Sequence, residues 1–202
     1  MVVNTAGTER NEQLTATVGV LLLVLLAVLG ITIVRIGQLI WLHLFLGLLL
    51  VGPVMLKVVS TGYRFARYYT GDPAYREKGP PQLGLRLLAP VVVLLTGVVF
   101  VSGVILLFHG PQNRGTWLTI HKVSFIVWLV FTALHVLGHV PGLGNSLRPR
   151  ALGPSDTWRG EAGRWIALSS ACAVGLVLAL VLLPDFSVWT SHGVLAHHHH
   201  DG

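Results

Sequence analysis

Four histidines of this 202-residue chain interrupt stretches that are otherwise almost wholly apolar: His43, His121, His135 and His139. A neutral imidazole carries a donor on one ring nitrogen and a lone pair on the other. It can therefore ligate a transition metal while staying anchored to its surroundings. An ionisable side chain is costly inside an apolar span, so each of these positions is a functional candidate by default. His121 and His135 are 14 residues apart. On an α-helix that is almost four turns, which puts both rings on one face about 21 Å apart along the axis. His139 follows one turn later on the same face. On a separate run, Lys57 stands 14 residues after His43, and Gly47 lies one turn after it.

The elements that carry these residues can be read from composition. Hydrophobic residues make up 53% of the chain, charged residues only 11%, and the mean hydropathy is +0.71. A soluble domain has about a quarter of its residues charged, so water is not the main solvent here. A bilayer core about 30 Å thick needs roughly 20 apolar residues in a helix. Five stretches qualify, at about 14–36, 39–60, 83–108, 117–140 and 163–183. The expected fold is all-α and polytopic. A short N-terminal segment (1–13) precedes five transmembrane helices (14–183), and a His-rich tail (184–202) follows them. The first span is too long for a signal peptide and has no small-residue cleavage site after it, so it reads as a retained span. Pro53 and Pro90 fall within spans, where neighbouring helices can satisfy the carbonyls they free. Trp41, Trp117, Trp165 and Trp189 fall near span ends, as in aromatic belts. Cys172 is the single cysteine, so a disulfide within the chain is excluded.

The net charge of +6 is set by loop residues. The connection after the second span, with its flanks, carries Lys57, Arg64, Arg67, Arg76, Lys78 and Arg86, and that after the fourth carries Arg148, Arg150, Arg159 and Arg164. The opposite side has Arg35, Arg114 and Lys122. Basic loops stay in the cytoplasm, so the expectation is a plasma (inner) membrane protein with its N-terminus cytoplasmic and its C-terminus outside. This placement argues for membrane lipid as a partner and against nucleic acid. In the connection 61–82, Tyr63, Phe65, Tyr68 and Tyr69 alternate with Arg64 and Arg67. They are expected to form a short amphipathic helix in the headgroup layer. Gly71-Asp72-Pro73 and Gly79-Pro80-Pro81 would turn the chain on either side.

Spans two and four run in the same direction, and Trp41 and Trp117 mark similar depths. His43 and His121 should therefore lie at comparable levels, just inside the outer end of the bundle. Two imidazoles facing each other across a helix bundle can bind one haem iron axially. Gly47 would leave room for a flat macrocycle. Paired histidines on the second and fourth helices of a four-helix membrane bundle resemble the cytochrome b type of haem protein and the smaller ferric-reductase-like membrane cytochromes. The matching residues are His43, His121 and His135, and the resemblance covers spans one to four. It implies electron transfer across the membrane by bis-histidine haem b, with a quinone or a redox protein as partner. It also implies a second centre at His135, but the position expected for that centre's other ligand is Lys57. A neutral lysine can ligate haem iron, although Lys57 is also placed to snorkel to the interface.

A lone histidine in a span is often only a hydrogen-bonded core residue, so other functions stay open. The tail carries His192 and the run His197, His198, His199 and His200. Such imidazoles take up divalent metals without much selectivity. They support an alternative reading as a non-redox metal sensor or carrier; a structural subunit of a membrane complex is a third. Neither P-loop nor GxGxxG after a strand is visible, so no nucleotide site is expected. Spans one, three and five lack acidic residues in their cores, which argues against a proton-coupled transporter.

Overall fold

The computed structural model describes residues 6–77, 83–147 and 154–195, and among these every regular element is helical. Five long helices are α1 (Ala6–Val34), α2 (Ile36–Tyr69), α4 (Leu83–His109), α5 (Gly115–Leu147) and α6 (Pro154–Val181). Two short ones are α3 (Pro73–Glu77) and α7 (Ser187–Leu195). Each long helix contains a segment of sufficient length and hydropathy to cross a bilayer. Large side chains on their outer faces are open: Ile31 is 62% exposed, Leu94 71%, Leu137 66% and Val181 66%. A water-soluble protein does not leave such continuous apolar surface uncovered. The chain is an all-α, multi-pass membrane protein.

The long helices run well past the apolar stretches that announce them. No proline falls between Ser60 and Tyr69, so α2 continues beyond its span until Gly71 turns the chain at φ 91°, a value that favours glycine. The aromatic and basic residues 63–69 therefore extend α2 rather than forming a separate interfacial helix. The turn at Gly71-Asp72-Pro73 is present. Asp72 accepts the Ala74 N–H at 2.9 Å as the cap of α3, and pairs with Arg67 at 2.5 Å. Gly79-Pro80-Pro81 lies outside the described residues, as do His197, His198, His199 and His200. The described part of the expected tail is helical: a 3₁₀ turn (Leu183–Phe186) leads into α7, which contains His192.

Two hairpins form the working part of the molecule. α1 packs along α2, and α4 along α5. Hydrogen bonds fasten the first hairpin: Lys57 Nζ donates to the Thr15 carbonyl at 2.7 Å, and Asn11 Nδ2 to the Ser60 carbonyl at 3.2 Å. In the second, Trp128 Nε1 donates to Thr96 Oγ1 at 2.8 Å, and that hydroxyl donates to the Val92 carbonyl at 2.7 Å.

The fifth span, α6, packs tightly against α2 on the strength of small residues. Gly52 lies against the backbone of Ala171, and Gly175 against the carbonyl of Leu49. Pro53 explains part of this. It cannot donate to the carbonyl four residues back, that of Leu49. Small residues let two helix backbones approach this closely in a membrane. Where α4 and α6 end, Phe186, Leu48, Leu107 and Ala179 form a buried cluster. There Trp189 of α7 donates from Nε1 to the Leu107 carbonyl at 3.3 Å.

Candidate functional site

The two hairpins do not close on each other. Between them lies a cavity of about 1470 Å³, lined by α1, α2, α4 and α5, with Tyr75 of α3 and Trp189 of α7 contributing. Sites for drug-sized ligands span about 300–1,000 Å³, so this one can take a large apolar molecule. His43, Gly47 and Lys57 line it from α2; His121, His135 and His139 line it from α5. Among the described residues, none of α6 does. The first four spans thus enclose the space, and α6 braces α2.

His43 and His121 stand in electrostatic range of each other across this space. Each is held by a hydroxyl from the preceding long helix. His43 Nδ1 is 2.9 Å from Thr32 Oγ1 on α1. The Thr32 hydroxyl gives its one proton to the Leu29 carbonyl at 2.6 Å, so its lone pair receives the imidazole N–H. His121 Nδ1 is 3.0 Å from Ser102 Oγ and 3.1 Å from the Val99 carbonyl, both on α4. A carbonyl only accepts, which assigns the proton of His121 to Nδ1. In both rings the bonding pattern leaves Nε2 as the nitrogen with a free lone pair. Gly103 makes room for the His121 ring: a β-carbon there would stand 3.3 Å from its Cε1. At Gly47 a β-carbon would meet nothing within 4 Å.

The end of the cavity nearer the basic connections is built differently. His135 and His139 stack edge-on with ring centroids 4.7 Å apart. His135 Nδ1 and Thr132 Oγ1 are buried without a hydrogen-bond partner. Lys57 is in electrostatic range of both histidines, but its ammonium is committed to the Thr15 carbonyl of α1. Arg64, Arg86, Tyr68 and Tyr69 complete this mouth, with the Arg86 guanidinium 5.0 Å over the Tyr69 ring. His109 ends α4 and bonds its own helix at the Ile105 carbonyl.

The sequence reading named the imidazoles and missed their supports. Thr32 and Ser102 are each 1% exposed. Their only signal in the sequence is a hydroxyl residue within an apolar run, and Thr15, Thr96 and Ser124 share that signal. Among the described residues, no group of three or more His, Cys, Asp or Glu side chains converges on a point that could hold a bare metal ion. Compared with family models, curated proteins and solved structures, the chain matches none.

The donor set suits a planar metallocycle better than a naked ion. His43 and His121 would each offer a free Nε2 to the metal of such a group, and the macrocycle would supply the rest. The walls around them are apolar, and Gly47 leaves open space beside His43. The residues present fit a haem at the His43–His121 level. At the other level His135 faces no second imidazole from α2, where Lys57 stands instead.

Proposed function

We propose that the protein is a transmembrane b-type cytochrome, with His43 and His121 as the axial ligands of one haem b. The observation that carries this reading is the matched pair of Nδ1 bonds. Metal-bound histidines typically anchor their second ring nitrogen in this way, which fixes the tautomer and raises ligand basicity. When bound, haem supplies a one-electron iron couple whose potential follows its ligands and surroundings.

The chain's own residues have definable tasks. His43 and His121 present neutral Nε2 atoms from opposite hairpins. Leu44, Phe100 and Val104 exclude water along the walls. Arg64 and Arg86 place positive charge at the cavity's basic mouth, where an anionic lipid would be favoured. With the basic connections cytoplasmic, the chain lies in the plasma membrane with its N-terminus inside, its tail outside, and the His43–His121 level near the outer leaflet. Electrons then enter from the cytoplasmic side or from quinol and leave to an outer acceptor, a metal ion or a redox protein.

The test is a reduced-minus-oxidised visible spectrum of protein purified in detergent after haem-supplemented expression. His43→Ala and His121→Ala should each abolish the low-spin signal while keeping the protein monodisperse. Wild-type protein without haem absorption would refute the reading, as would a full signal in both variants.

A further inference from the structure

Both histidines are held by side chains that a merely structural account would not require. Thr32 Oγ1 already has the Leu29 carbonyl as acceptor, and Ser102 Oγ has the Val99 carbonyl at 3.1 Å. Such hydroxyls in apolar helices are self-sufficient through these backbone bonds. Each nonetheless lies within 3.0 Å of an imidazole nitrogen on the next long helix. With 1% exposure at either hydroxyl, no bulk water can take its place. The same device occurs twice: a hydroxyl, bonded three residues back on its own helix, accepts an Nδ1–H from the partner helix of its hairpin.

We infer that Thr32 and Ser102 are positioning residues that hold His43 and His121 as Nδ1–H tautomers and set the electron-donating strength of their Nε2 atoms. Their effect on an iron couple rests on the haem reading above; their effect on the tautomers does not. An acceptor on Nδ1–H gives the imidazole more anionic character, which favours the more highly charged ferric state. Removing the acceptor therefore raises the reduction potential. The two sites differ in a checkable way. Thr32 Oγ1 is the acceptor that faces His43 Nδ1. His121 keeps the Val99 carbonyl when Ser102 is removed.

Two measurements test this. First, nitrogen NMR of the haem-free protein in detergent reports which ring nitrogen carries the proton. His43 and His121 should be Nδ1–H in the wild type, and Thr32→Val should shift His43 alone towards Nε2–H. Second, in the haem-loaded protein, Thr32→Val should move the midpoint potential positively, and Ser102→Ala should move it in the same direction by less. Thr32→Ser should restore the wild-type value. Thr96→Val breaks a hydroxyl bond to Trp128 in the same hairpin as His121 and should leave the potential unmoved.

If Thr32→Val does not fold, Thr32→Ala and Ser102→Ala carry both measurements. A His43 tautomer unchanged in the Thr32 variants, or potentials unmoved in the Thr32 and Ser102 variants at full haem content, would overturn the inference and leave the cytochrome reading standing. Tautomer shifts in a protein that never takes up haem would do the reverse.

Discussion

Gly52 of α2 rests directly against the backbone of Ala171 on α6, with no room for a β-carbon between them. On the same helix, Gly47 faces open cavity. Two glycines five residues apart thus have opposite meanings. Gly52→Leu must push α6 away, and overpacking of this kind costs about 1–3 kcal/mol. It should lower the thermal midpoint in detergent and broaden the size-exclusion peak. Gly47→Leu should leave both unchanged, because its side chain projects into the cavity, and should reduce haem content instead. Equal thermal losses in the two variants would mean that the α2–α6 contact has no special role.

Lys57 occupies the place where a second-centre ligand would stand, yet its ammonium serves α1. Lys57→Met keeps the length and apolar stem but drops the bond to the Thr15 carbonyl. A loss of about 1.5–3 kcal/mol is expected for a hydrogen bond to a charged group, partly offset by relief from burying a cation. The visible spectrum of the haem-loaded variant should match that of the wild type. A spectral change confined to Lys57→Met would reinstate the lysine as a ligand.

Tyr75, on α3 outside the spans, is 9% exposed and meets Tyr63 edge-on, with centroids 6.2 Å apart. Burial pushes its hydroxyl above the ordinary value of 10, with Tyr63 and Asp72 adding to the rise and Arg67 and Arg64 opposing it. A raised value in the folded state means that the neutral form is favoured there. The associated stability is full below about pH 10 and is lost as pH climbs through the folded value. Alkaline titration of tyrosinate absorbance should show a late phenol that is absent in Tyr75→Phe. A titration curve whose late part is unchanged in Tyr75→Phe would contradict the burial of this contact.

Much of the fold is legible along the chain because a bilayer imposes a length and a hydropathy on anything that crosses it. The five spans could be counted, and each of their helices was found. Their ends were less legible. α2 runs on to Tyr69 because hydropathy falls at Ser60 while helix-forming capacity does not, and the two signals are independent. The place of α6 was also hidden. Ala171, Gly175 and Gly52 are small residues in apolar runs, and their partnership exists only once two backbones meet.

The same division holds for the cavity. Helical periodicity alone put His121, His135 and His139 on one face, and topology put His43 at the depth of His121. These follow from 3.6 residues per turn and from the direction of each crossing, which a sequence determines by itself. Which side chain answers each imidazole was decided by tertiary structure. Thr32 and His43 are 11 residues apart, and Ser102 and His121 are 19 apart, across turns of different length. No periodicity links such pairs. Lys57 makes the same point: its position in the chain matched that of a ligand, while the packing of α1 gave its ammonium to Thr15.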